Sequence, residues 1–188
     1  VSSTLPIPNS QFPIPNSQFP IPNSQFPIPN GFLSLGVERL KAGKLRPSYV
    51  VWEENYIVPI LVLEVVSKTY GGEYDEKMTD YAKLGVLYSV IYNPDYCCRD
   101  KHDSFEVYRL VEGVYQRQLG EPVWMPEIGL GIGPEIGTYD RCQREWLYWY
   151  DSEGTRFLMP DEAAEQERQR TQRLAERLRE LGIDPEQV

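Results

Sequence analysis

The sequence predicts a mixed α/β domain, and three observations carry that expectation. Two nearly continuous apolar runs, "PILVLEVVS" at 59–67 and "VLYSVIYNP" at 86–94, have the length and β-branched content of strands buried on both faces. Between them lies a stretch with helical spacing that stops at Gly85. After them "SFEVYRLVEGVYQRQL", at 104–119, alternates on both sides of Glu112-Gly113, the pattern of an antiparallel hairpin with one solvent face. Strand, helix, strand and hairpin in that order describe one sheet with both parallel and antiparallel pairs.

Each element has its own reason. "FLSLGV" (32–37) is a short apolar run ending in Gly and reads as a strand; "KAGKLRP" then reads as a charged turn. "SYVVWEE" (48–54), rich in β-branched and aromatic residues, reads as a further strand. From Glu73 to Leu84 a helix is expected, with Tyr74, Met78, Tyr81 and Ala82 on one face. Its first turn is crowded by Glu73, Asp75 and Glu76, which suits the helix dipole. "PEIGLGIGPEIGTYD" is Gly-rich, yet it lacks the Lys-Ser/Thr ending and the following helix that a phosphate loop needs. "REWLYWYDSEGTRF" reads as a last aromatic strand turning at 152–154. From Asp161 to Leu181 the chain favours helix, ended by Gly182 and Pro185. Leu174, Leu178 and Leu181 share a seam with Thr171 and Glu167, which is too polar for a coiled coil; a solvated, at most weakly self-associating helix is expected.

The chain begins differently. Pro-Ile-Pro-Asn-Ser-Gln-Phe occurs at 6–12, 13–19 and 20–26, with a partial copy at 27–30. Two prolines per unit exclude a heptad coiled coil. The DNA heptamer CCCAATT in tandem passes through all three frames and encodes this same heptapeptide, so the segment reads as translated simple-sequence DNA. Biased, uncharged and Pro-rich, it is expected to lack stable structure. The domain organisation expected is therefore a disordered repeat at 1–30, one folded domain at 31–160 and a charged C-terminal helix at 161–188.

Composition narrows the partners. The net charge is −9; residues 161–188 hold eight acids against five arginines, and 31–160 hold twenty acids against fourteen bases. No broad basic footprint for nucleic acid is present. Cys97, Cys98 and Cys142 are odd in number and two are adjacent, which fits neither a disulfide framework nor a zinc site and points to reduced thiols in the cytoplasm. No signal peptide and no membrane-spanning apolar run is expected.

Glu64 is the residue most suggestive of chemistry. A carboxylate inside "LVLEVVS" loses its hydration at a cost of several kcal/mol unless a cation, a metal or hydrogen bonds compensate. Lys77, on the helix that follows, is the natural partner, and Glu73 stands four residues before it on the same face. Strand carboxylates holding Mg²⁺ beside a lysine suit phosphodiester hydrolysis. A surface Glu73–Lys77 pair, with Glu64 at a strand end reaching solvent, explains the same residue types. His102, the single histidine, sits in a polar turn and is not assigned a catalytic role.

The stretch "PSYVVWEENYIVPILVLEVVSKTYGGEYDEKMTDYAKLGVLYSVIYNP" resembles a large cyanobacterial restriction endonuclease family within the PD-(D/E)xK nuclease superfamily. The motifs that carry the resemblance are Glu64 to Ser67, Glu73 with Lys77, Tyr81 to Val86 with Gly85, and Asn93-Pro94. "PEIGLGIG", "YWYDSEG" and the tail ending "LRELGIDP" extend it over roughly residues 31–188. The resemblance implies a restriction-endonuclease-like sheet and a metal-dependent endonuclease acting on nucleic acid, DNA in particular. Glu64 would be the carboxylate that binds Mg²⁺, Lys77 the catalytic lysine moved from strand to helix, and Glu73 a supporting acid. Val66 stands where the superfamily's usual lysine would be.

The departure is at the front. Relatives are expected to carry Pro-Asp before "FLSLGV", where this chain has Asn30-Gly31 at the end of the repeat. The expectation is an N-terminally truncated domain with Gly31 in place of a metal-binding Asp, and little or no cleavage. A non-catalytic interaction protein or folded remnant, pairing as a possible homodimer through its sheet edge or helical tail, is the alternative.

Overall fold

A computed structural model of the chain describes residues 28–38, 40–41, 43–45 and 49–181. The expectation for the repeat falls almost wholly on residues outside that set. The central sheet has five strands in the order β1-β4-β5-β6-β7. They are β1 (Gly31–Leu33), β4 (Leu61–Val65), β5 (Tyr88–Tyr92), β6 (Phe105–Val111) and β7 (Val114–Gln118). β4 and β5 run parallel, joined by helix α1 (Glu76–Leu84), and the remaining pairs are antiparallel. β5 is buried along its whole length, as its unbroken apolar run requires. The β6–β7 turn uses Glu112 (φ 51°) and Gly113 (φ 82°), the left-handed pair that a two-residue hairpin needs.

A second sheet, in the order β10-β9-β8, comes from β8 (Val123–Met125), β9 (Leu130–Tyr139) and β10 (Cys142–Tyr150). Its Val123, Met125 and Ile132 pack on Leu61, Tyr88, Val90, Phe105 and Val107 of the first sheet. Each such fully buried aliphatic side chain contributes about 1.5–3 kcal/mol. The opposite face of the central sheet is covered by α1, where Val62, Tyr81 and Val86 form a smaller core joined by Tyr115. This mixed α/β arrangement, closed by the exposed helix α3 (Pro160–Glu180), is of the restriction-endonuclease-like type.

Two local expectations are corrected, the strand at 48–54 and the start of the first helix, and two are made more specific. "SYVVWEE" is not a strand: Val51–Glu54 form a single 3-10 turn, followed by Asn55 and Tyr56 in the left-handed region. The edge of β4 is taken by β1, and among the described residues Val51–Glu54 pair with no strand. The "KAGKLRP" turn lies within a two-residue hairpin, β2 (Leu40–Lys41) with β3 (Lys44–Leu45). The Gly-rich segment is the long strand β9, whose Gly131 and Gly133 sit where an added Cβ would meet Pro122 and Tyr150. Helix α1 begins at Glu76 rather than Glu73, because Glu73 turns back to a loop amide; Gly85 closes it in the left-handed conformation (φ 81°). One short helix, α2 (Cys97–Asp100), had no sequence signal. Among the described residues the three cysteines are free, and no helix is long and apolar enough to cross a membrane.

Candidate active site

The geometry of the site starts from the two periodicities of its elements. Val62 and Glu64 alternate onto the α1 face of β4, and Lys77 and Tyr81 lie one turn apart on the side of α1 that meets it. Lys77 Nζ donates to Glu64 Oε2 at 2.9 Å, and the Tyr81 hydroxyl donates to Glu64 Oε1 in a short hydrogen bond. Glu64 is fully buried, whereas the Lys77 side chain keeps 22% of its surface in solvent. The carboxylate buried at position 64 is thus satisfied on both oxygens, which offsets its lost hydration. Burial, then the bond and charge of Glu64, push the Tyr81 phenol far above its ordinary pKa and keep it a donor.

Glu73 completes the group. Its Oε1 is 3.8 Å from Lys77 Nζ and its Oε2 accepts from the Gly71 amide at 2.9 Å. An added Cβ at Gly71 would stand 2.7 Å from Glu73 Oε1, so the glycine leaves room for the carboxylate. The three residues expected from the sequence, Glu64, Lys77 and Glu73, therefore meet at one place on the α1 face. Tyr81, which the sequence places on one helix face and in a family motif without a role at the site, joins the group, and its position four residues after Lys77 is the available signal.

The edge strand corrects one expectation. In the antiparallel β1–β4 register Gly31 pairs with Leu63, and a Cβ built on Gly31 lies 3.6 Å from Leu63 Cβ. A side chain at 31 therefore points to the far face of the sheet, away from Glu64. Continuing that register places Asn30 opposite Glu64, and Asn30 Oδ1 accepts from the Val65 amide at 2.9 Å. The position facing the site is filled by a neutral amide at 30, not by the glycine.

A second buried carboxylate stands two strands away. Glu64, Ile91 and Glu106 form one row across β4, β5 and β6. Glu106 is reached by His102 Nδ1 at 3.1 Å, the Tyr108 hydroxyl at 2.8 Å and Arg117 Nη1 at 3.2 Å. Asn93, ending β5, donates to the Tyr74 hydroxyl and to Asp100 and accepts from the Tyr96 amide. On the other face Glu127 accepts from Tyr88 and Arg109. Burial raises its pKa, but those two hydrogen bonds, a backbone hydrogen bond and the Arg109 charge together outweigh burial and hold it below the ordinary range.

The mixed sheet, with a lysine–glutamate pair where a strand meets the next helix, is an α/β fold of the restriction-endonuclease-like type. The family model described as "Uma2: Putative restriction endonuclease" matches residues 8–136, and the chain belongs to that family. The matched span begins inside the heptapeptide repeat. No curated protein and no solved structure matches the chain significantly.

The donor set can be tested against the Mg²⁺ that the resemblance implies. Mg²⁺ asks for near-octahedral oxygen ligands, usually one or two carboxylates with water and phosphate. Here both oxygens of Glu64 are held by Lys77 and Tyr81, Glu73 is turned to Gly71, and an amide stands at 30. Among the described residues no group of three or more His, Cys, Asp or Glu side chains is arranged to hold a metal. As arranged, these residues do not fit the ion.

Proposed function

We propose that the chain is an endonuclease-type domain of the PD-(D/E)xK kind in which the phosphodiester-cleaving site is degenerate. In this reading Glu64 descends from a metal-facing carboxylate, Lys77 from the lysine that would stand near the attacking water, and Glu73 from a supporting acid. The substrate class is nucleic acid, DNA in the first instance, and turnover would require Mg²⁺ or Mn²⁺. The observation that carries the proposal is the double capping of Glu64. The carboxylate is a Lys77–Tyr81 hydrogen-bond centre with no exposed surface, so its remaining lone pairs do not face the solvent from which a ligand would come. What remains is a structural ion pair at the place where a nuclease would keep an open, charged site.

The test is a plasmid-nicking assay with Mn²⁺ and Mg²⁺ on the purified chain beside Glu64→Ala and Lys77→Ala variants. Little or no divalent-dependent cleavage is expected from all three. Strong cleavage abolished by both substitutions would show a working endonuclease and overturn the degenerate reading while keeping the nuclease one.

A further inference from the structure

Three aromatic rings are stacked in parallel beside the Glu64–Lys77 pair. His102 lies on Tyr74 with centroids 3.7 Å apart and planes within 8°, and Tyr74 is parallel to Tyr70 at 6.5 Å, again within 8°. The inner end of this ladder is fixed. His102 reaches the buried Glu106, and the Tyr74 hydroxyl accepts from Asn93. The outer end is open: Tyr70 is 44% exposed and is tied through its hydroxyl to Asp75 at 2.6 Å. Arg99 braces the loop that carries Tyr70 by donating to the Lys68 carbonyl at 2.6 Å. Burial and the Asp75 hydrogen bond push the Tyr70 phenol up to about 12, so the ring stays neutral at physiological pH. The loop is also joined to the ion pair, since Glu73 accepts from the Gly71 amide and faces Lys77.

A half-exposed tyrosine ring tied down by Asp75 and parallel to the neighbouring Tyr74–His102 stack offers a preorganised surface to another planar ring. Phosphate is a poor match for this spot, because Asp75 and Glu73 lie beside the tyrosine and the chain is acidic overall. A neutral base suits it better. We propose that the face of Tyr70 is a stacking platform for an unpaired nucleobase, seating single-stranded or locally opened nucleic acid next to the Glu64–Lys77 pair. The proposal rests on the nucleic-acid reading given above and adds what that reading lacks: a preference for unpaired bases and the residue that confers it. Because the contact is base to ring, its strength does not depend on counterion release, unlike phosphate contacts.

The experiment is fluorescence anisotropy of a labelled short oligothymidylate, and of a duplex of equal length, titrated with the full chain over a range of salt. Wild type is expected to prefer the single strand. Tyr70→Ala should weaken single-strand binding by about tenfold, in line with the loss of one base–aromatic stack, and leave the slope of affinity against salt unchanged. Tyr70→Phe, which keeps the ring and loses the Asp75 bond, should retain most of the affinity. Tyr70→Leu serves as a second ring-less variant if the alanine form melts early. Wild-type binding that Tyr70→Ala and Tyr70→Leu leave intact overturns the platform but not nucleic-acid binding. No binding of either oligonucleotide by wild type overturns both.

Discussion

Replacing Lys77 by methionine tests whether the ion pair is a structural lock. The substitution keeps the length and most of the volume of the side chain and removes its charge. Glu64, with no exposed surface, is left with the Tyr81 hydroxyl as its hydrogen-bond partner. Breaking a buried pair from one side costs about 3–5 kcal/mol. The lysine side chain is 22% exposed, so water can enter from that side, and about 3 kcal/mol is the appropriate figure. With a urea m-value of about 2 kcal/mol/M, the unfolding midpoint should fall by roughly 1.5 M. Replacing both charges, as Glu64→Leu with Lys77→Met and Tyr81→Phe, removes the pair together with the hydroxyl that would be orphaned. That variant should return to near wild-type stability, because a well-packed apolar group is as good as a buried ion pair or better. Urea unfolding followed by tryptophan fluorescence reads both midpoints. If Lys77→Met leaves the midpoint unchanged or raises it, the pair is not a lock. The lysine is then held at a cost to stability, as functional groups often are, and the degenerate reading loses its main support.

Three further substitutions address the edge strand and the acid response. Asn30→Asp should create weak Mn²⁺ binding, read as a thermal upshift that grows with Mn²⁺ concentration, whereas Gly31→Asp should show none because position 31 faces Leu63; equal upshifts in both would refute the register argument. Glu127 has a lowered pKa in the folded state, so its stabilisation is fully present above the ordinary glutamate range and is lost as pH falls through its folded value; the gap in urea midpoint between wild type and Glu127→Gln should therefore be wide at neutral pH and narrow in acid, and a gap that widens in acid would contradict this.

The parts of the fold legible in the sequence are those fixed by short-range pattern. The apolar runs around Leu61–Val65 and Tyr88–Tyr92 can satisfy their burial only inside a sheet, and the Glu112-Gly113 turn dictates its own hairpin. Misreadings occurred where tertiary pairing decided the outcome. "SYVVWEE" has strand residues, yet β1 takes the edge of β4 and Val51–Glu54 form a 3-10 turn; the glycines of "GLGIGPEIG", which the sequence already argues against as a phosphate loop, serve close packing against Pro122 and Tyr150. The cluster of Glu106, His102, Tyr108 and Arg117 spans two strands and a turn, and nothing local in the sequence connects it.

The candidate site divides along the same line. Glu64 is visible in sequence because one charge in an apolar run demands a partner, and Lys77 because the strand is followed by a helix that can supply it. The state of the site depends on a third residue and on strand register. Tyr81 looks like any core aromatic until its hydroxyl is found on Glu64, where it engages the second oxygen of a carboxylate that has no exposed surface. Register is as decisive: moving one residue along β1 exchanges the two faces of the sheet, so Asn30 faces Glu64 while Gly31 faces Leu63. The chemical character of the site thus rests on a tyrosine hydroxyl and an asparagine amide. The hydroxyl engages a buried carboxylate, and the amide is a neutral group at the strand edge where the family resemblance calls for negative charge.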